Sequence, residues 1–222
     1  MNRGVIFDID GTLVDSNYFH ALAWYRAFAE VGEKVPMYRI HRAIGMGSPQ
    51  LIKELIGRDE PELSDRQSQQ YRLVRDEARP FDRAVDLMRE IAQRGGRVML
   101  ATSAKPEELE VLLAKLDAGD AVHGVISSKD VEAAKPEPDV FAKALEAGEL
   151  DREHAVAVGD SIWDIAAADR CGLRCIALLT GGTGACELEA AGAAEVYRAP
   201  AELLNRLESS LVGSVLGGGV IA

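Results

Sequence analysis

Short apolar runs rich in β-branched residues alternate with stretches of helical periodicity over the C-terminal two thirds of the chain, and this alternation limits the possible folds most. The runs cover residues 98–101, 122–126, 155–158, 175–179 and 194–197. Helical spacing fills the gaps at 106–116, 140–147, 162–171 and 186–191, and a last helix follows at 201–207. Runs of this kind carry no apolar/polar alternation, so they read as strands buried on both faces, as in a parallel sheet. The expected fold is α/β: a Rossmann-like parallel sheet with helices on both faces, binding ligands beyond the carboxyl ends of its strands.

Gly4-Val5-Ile6-Phe7 supplies one more such run near the N-terminus, and an amphipathic helix through Ala84, Leu87, Met88 and Ile91 leads by Gly95-Gly96 into the run at Val98. Between these, residues 17–80 carry helical signals only. Phe19, Leu22, Ala23, Phe28 and Val31 recur at helical spacing; residues 37–44, 51–56 and 62–79 also read as helix, with a break at Gly45-Met46-Gly47-Ser48-Pro49. An all-helical segment inside a strand–helix alternation reads as an inserted cap. The expected organisation is a discontinuous core of residues 1–16 and 81–210, a helical cap of residues 17–80, and an apolar, Gly-rich tail of residues 211–222 expected to be poorly ordered.

The chain has 222 residues, 47% hydrophobic and 27% charged, which fits a globular protein and neither a disordered nor a membrane one. Its formal net charge of −11 repels polyanions and anionic lipid, so no nucleic acid and no membrane partner is expected. A small anionic ligand needs a local cation to overcome that field. No secretory signal and no bilayer-length apolar stretch is read from the sequence. Cys171, Cys175 and Cys186 form an odd set, read as reduced thiols in a cytoplasmic protein. The sequence does not indicate an oligomeric state.

The first strand runs straight into Asp8-Ile9-Asp10-Gly11. Asp8 and Asp10 share a parity, so both carboxylates project the same way while the chain stays extended. Acids held this close need a cation between them or a proton on one of them, which makes the pair a candidate metal and acid/base site. A plain Asp-Gly turn capped by Asp8 is the other reading of these residues alone. Later strand ends add Thr102 and Ser103, whose hydroxyls and backbone N–H groups suit phosphate oxygens or, alternatively, cap the next helix. They also add Lys135, in a segment stiffened by Pro136 and Pro138, and Asp160 with Asp164 one helical turn later.

In this order, Asp8-x-Asp10-Gly11-Thr12, Thr102, Lys135-Pro136 and Gly159-Asp160-x-x-x-Asp164 resemble the motifs of the haloacid dehalogenase-like hydrolases. The resemblance is to their cap-bearing branch of phosphoglycolate phosphatases and β-phosphoglucomutases, and it runs from about Arg3 to Leu207. It implies that Asp8 is a nucleophile forming an aspartyl-phosphate and that Asp10 is the general acid and base. It implies Mg²⁺ as cofactor, held by Asp8, the Asp10 backbone carbonyl and Asp160, with Asp164 binding directly or through water. Thr102 and Lys135 would grip the phosphoryl oxygens. A small phosphorylated metabolite is the implied partner.

An acid at position 10 suits an alkoxide leaving group, which needs a proton, rather than a halide, which does not. A Mg²⁺-dependent phosphatase acting on a small phosphomonoester is the first expectation, and a β-phosphoglucomutase-like mutase the second. His20, Gly45 and Arg42 are the cap residues expected to reach substrate; the competing reading is a surface role for Arg39 and Arg42 and, for His20, a hydrogen-bonded helix residue at the cap hinge unless it reaches Asp10. An inactive binding protein is a third reading, opposed by the intact set of Asp8, Asp10, Lys135 and Asp160. Two departures from the family pattern are Ala134, where glycine is usual, and Asp82-Arg83, where Pro-Gly is frequent.

Overall fold

The computed structural model describes residues 2–131 and 133–217. The strands among them are β1 (Gly4–Phe7), β2 (Val14–Asp15), β3 (Arg79–Pro80), β4 (Arg97–Ala101), β5 (Gly124–Ile126), β6 (Ala155–Gly159), β7 (Arg174–Leu178) and β8 (Glu195–Tyr197). The helices up to the middle of the chain are α1 (Asn17–Glu30), α2 (Met37–Ala43), α3 (Ser48–Ile56), α4 (Glu62–Arg72), α5 (Ala84–Gln93) and α6 (Pro106–Leu116). The rest are α7 (Asp139–Ala147), α8 (Ile162–Arg170), α9 (Ala185–Ala190), α10 (Pro200–Asn205) and α11 (Leu211–Leu216).

Six strands form one parallel sheet in the order β5-β4-β1-β6-β7-β8, the expected α/β architecture. β1 is fully buried, and its alternating side chains divide the core. Val5 and Phe7 pack with α5, α6, α10 and α11 on one face, whereas Ile6 packs with α7, α8 and α9 on the other. The order reverses at β1: the chain builds β4 and β5 on one side of it, then crosses back to add β6, β7 and β8 on the other. Phe7 is level with Leu100 of β4 and Val158 of β6. The residues just past these strands therefore meet at one point, the crevice where such sheets bind ligands.

Helices α1 to α4 bury a core of their own around Trp24, Phe28, Ile40, Leu51, Ile52 and Leu63. The polar run 62–79 differs from expectation. The helix ends at Arg72, a 3-10 turn covers Arg75–Glu77, and β3 follows, because the residue before Pro80 is pushed out of the helical region. β3 pairs antiparallel with β2, so the chain enters and leaves the insertion through adjacent two-residue strands that no sequence pattern marks. Helix α3 starts earlier than expected, at Ser48, because Pro49 fits a first turn.

The expectation of a poorly ordered tail is corrected for residues 211–216. They form α11, capped by Ser210, whose hydroxyl accepts from Gly213 N, and Leu211, Val212, Val215 and Leu216 are buried. An i, i+1, i+4, i+5 stripe of aliphatic residues gives this short helix a face to bury. Gly217 follows as its C-cap, and residues 218–222 of that tail lie outside the described residues. No helix among the described residues is long and apolar enough to cross a membrane. Cys171, Cys175 and Cys186 are free thiols.

Candidate active site

Asp8 extends the β1 ladder by one bond, its N–H donating to Val158 O at 2.9 Å, and its carboxylate stands between the ends of β4 and β6. Lys135 reaches it from the loop before α7. The ammonium bonds Asp8 Oδ1, lies 2.7 Å from Asp164 Oδ1 and donates to Ala101 O at 3.2 Å, and the side chain is 1% exposed. One oxygen from each of Asp8, Asp160 and Asp164 lies within 4.8 Å of the others, all three buried. Three carboxylates against one ammonium leave two negative charges unbalanced in a buried site. Burial pushes the Asp8 carboxyl up to about 7 against the pull of Lys135. Asp160 is also raised, by burial and then by Asp164 and Asp8.

This donor set fits a hard divalent cation, because the groups are oxygens, buried, and short of positive charge. The orientation is fixed from outside. Thr12 Oγ1 and Asn17 Nδ2 each donate to Asp160 at 2.8 Å. Ser161 N and Oγ donate to Asp164 Oδ2 in a capping box at the start of α8. Gly181 comes so close that a Cβ there would stand 1.8 Å from Asp160 Oδ2.

Asp10 has a different environment. Ser16 Oγ donates to its Oδ1 at 2.6 Å, and His20 Nε2 lies 3.2 Å from the same oxygen. Burial raises the carboxyl, but His20 and Ser16 together hold it below its usual value, while Asp10 raises His20 in spite of burial. His20 is in turn held by Gln67 Nε2, 3.2 Å from its Nδ1, and by the ring of Tyr71, stacked at 3.8 Å.

A cavity of about 80 Å³ lies over this chemistry, lined by Asp8, Asp10, Thr102, Ser103, Asp160 and residues of the helical insertion including His20, Trp24, Gly45 and Gln67. The insertion is seated on the sheet edge: Gly47 N donates to Lys135 O, Trp163 Nε1 to Arg42 O, and His41 Nε2 lies 2.8 Å from Gly181 O. Gly45 permits this approach, since a Cβ there would lie 2.8 Å from Ser161 Oγ.

A family model described as haloacid dehalogenase-like hydrolase matches residues 3–172. The chain belongs to the haloacid dehalogenase-like hydrolases. A phosphoglycolate phosphatase from Cereibacter sphaeroides is 32% identical over 194 residues, covering 81% of this chain and 85% of that protein. The crystal structure of a hydrolase from Pseudomonas syringae matches at 33% identity and a TM-score of 0.88, covering 94% of this chain and 99% of that one. The crystal structure of CbbY from Rhodobacter sphaeroides in complex with phosphate matches at 25% identity and a TM-score of 0.73, covering 91% and 96%. By family and relatives this haloacid dehalogenase-like hydrolase is an enzyme of the phosphoric monoester hydrolase class.

The sequence-derived residues of this hydrolase distribute unevenly. Asp8, Asp10, Thr102, Ser103, Asp160, His20 and Gly45 line one cavity, with Lys135 beneath Asp8 and Asp164 behind it. Thr102 Oγ1 accepts from Ala104 N, and Ser103 Oγ is buried with no partner, so neither hydroxyl caps the next helix, whose N-cap is Lys105. Ser16 likewise spends its hydroxyl on Asp10 rather than on α1.

Arg42 is the residue the structure moves away. It is absent from that cavity's lining; its guanidinium pairs with Glu187 at 2.5 Å, and the two line a neighbouring cavity that shares Asn17, Ile44 and Asp160 with the first. Its position near the end of α2 turns it toward α9 instead. Sequence reading missed Asn17, Gln67 and Glu108. Only Glu108 left a signal, an acid in register with Leu112 and Leu116 on the buried stripe of α6.

Proposed function

We propose that this hydrolase is a Mg²⁺-dependent phosphatase that cleaves a small phosphomonoester, phosphoglycolate-like or sugar-phosphate-like, through an aspartyl-phosphate on Asp8. The observation that carries the reading is the pairing of two unlike carboxyls in one cavity. Asp8 stands against Lys135 and the acid cluster, while Asp10 stands against His20. Asp8, the Asp10 carbonyl and Asp160 would hold Mg²⁺, with Asp164 contributing directly or through water. Bound there, Mg²⁺ supplies the charge that keeps the acids ionised and neutralises phosphoryl oxygens.

In the first half-reaction an Asp8 carboxylate oxygen bonds to phosphorus as the ester P–O bond breaks, and Asp10 passes the proton it shares with His20 to the departing alkoxide. Lys135, the Ser103 hydroxyl and the N–H groups after β4 hold the phosphoryl oxygens. In the second half-reaction Asp10 takes a proton from water, whose oxygen displaces Asp8 from phosphorus and releases inorganic phosphate. The His20–Asp10 pair keeps a proton at hand for this exchange. Water must be excluded in the first half and admitted in the second, a task suited to the helical insertion acting as a cap.

The mutase reading calls for a cation to hold a second phosphate, and Arg42 is committed to Glu187 outside the cavity, so hydrolysis is the better-supported reaction. Its setting is the reducing cytoplasm, consistent with three free thiols. The test is phosphate release from a panel of phosphomonoesters with Mg²⁺. Asp8→Asn should lower it by about 10³-fold or more, and Ca²⁺ should suppress it by loosening the in-line geometry. A wild-type protein that releases no phosphate from any ester, or an Asp8→Asn variant as active as wild type, overturns the proposal.

A further inference from the structure

We propose that Glu108 sets the leaving-group specificity, so that the enzyme takes esters of small uncharged or cationic alcohols and rejects esters that carry a second anion. This rests on the phosphatase reading above and, of its two substrate classes, keeps the sugar-phosphate-like esters of uncharged alcohols and excludes the phosphoglycolate-like ones. Glu108 lies in the first turn of α6, is 7% exposed, and lines the same cavity as Asp8 and Asp10. Its Oε1 accepts from Ser68 Oγ at 3.1 Å, a donor from α4 of the insertion. That donor is neutral, and no ion pair to Glu108 occurs among the described residues. A buried carboxylate without a counter-ion imposes its negative field on whatever enters beside it.

Among the described residues, each cation facing the cavity is paired with another acid. Lys105 lines the cavity, but its ammonium donates to Ser64 O at 3.2 Å and lies 3.4 Å from Asp65. Lys135 is held by Asp8 and Asp164, and His20, whose proton Glu108 also favours from a distance, is paired to Asp10. Arg39 and Arg42 do not line the cavity. The rest of the leaving-group wall is Trp24, Ile44, Met46 and Leu51, with Ser48 and Gln67 as its polar members. Carbon and hydroxyl groups fit such a wall; a carboxylate or second phosphate would face Glu108 unpaired.

Three esters that differ only at the far end test this: 2-hydroxyethyl phosphate, 2-aminoethyl phosphate and 2-phosphoglycolate. With Mg²⁺ present, kcat/KM for 2-phosphoglycolate should be about tenfold or more below that of the hydroxyethyl ester, with the aminoethyl ester not disfavoured. Glu108→Gln should bring the phosphoglycolate-to-hydroxyethyl ratio to within about threefold of unity. An acid that merely complements the N-terminus of α6 would leave that ratio unmoved. Wild-type protein that cleaves 2-phosphoglycolate as well as the hydroxyethyl ester overturns the proposal, and this comparison does not depend on the variant folding. An unchanged ratio in folded Glu108→Gln also overturns it. Absence of cleavage of all three esters and of any wider panel overturns the phosphatase reading, and this proposal with it.

Discussion

Replacing Lys135 by methionine keeps the length of the side chain and removes the positive charge that, among the described residues, pairs with the buried acids Asp8 and Asp164. The ammonium is 1% exposed, contacts Asp8, Asp164 and Ala101 O, and lies 5.2 Å from the centre of the Phe141 ring. Removing one partner of such a buried pair costs about 3–5 kcal/mol, a large share of a typical domain stability of about 5–15 kcal/mol. The cost depends on pH with a definite sign. Asp8 is raised to about 7 with the lysine present, from an ordinary value of 3.8, because burial opposes its ionisation. A carboxyl raised in the folded state contributes stability below its unfolded value and loses it as pH rises through the folded one.

Without Lys135 the Asp8 carboxyl rises further, so the variant should lose stability across a window that begins near the unfolded value and extends past about 7. Urea unfolding in EDTA at about pH 5 and at about pH 8 reads this directly. The difference from wild type should be about 3–5 kcal/mol at the higher pH and at most half of that at the lower. Mg²⁺ should restore part of it, since a cation in the acid cluster replaces the missing charge. A pH-independent difference below about 1 kcal/mol would mean that the ammonium does not balance these acids.

Two further outcomes are expected. Gly181→Ala forces a Cβ to within 1.8 Å of Asp160 Oδ2, a carboxylate that Thr12 and Asn17 hold in place; Mg²⁺ affinity by calorimetry should fall about 10–100-fold, and an unchanged affinity would remove Asp160 from the cation site. Arg83 sits at φ 58°, a left-handed conformation that suits the glycine frequent in the family, and its contacts to Asp86 and Asn205 are exposed. Arg83→Gly should therefore raise stability in urea by up to about 1 kcal/mol, and a loss of that size would show that the surface contacts outweigh the backbone strain.

Much of the core was legible because burial on both faces writes itself into composition. Val5, Ile6 and Phe7 need apolar surroundings above and below, and the runs after Gly96, Ala155 and Arg174 carry the same demand. The antiparallel pair of β2 and β3 was not legible, since each strand has two residues and their partnership spans the whole insertion. The order of α11 was hidden for a similar reason: its four aliphatic residues look like a loose tail until a groove exists for them to fill. Arg42 looked available to substrate because a sequence does not tell on which side of α2 its guanidinium will find Glu187.

That two acids follow a buried strand, and that hydroxyls, a lysine and two more acids follow later ones, is already present in the order of residues, because chemistry of that kind is written in residue types and spacing. That order also determined the parallel sheet that brings strand ends to a common edge. Only the tertiary structure decided how identical carboxyls differ. Asp8 meets burial, Lys135 and the acid cluster and is raised to about 7, whereas Asp10 meets His20 and Ser16 and is lowered. The physical reason is that a carboxyl's proton affinity depends on charges and donors within a few ångströms, and those neighbours come from residues 6 to 156 positions away along the chain.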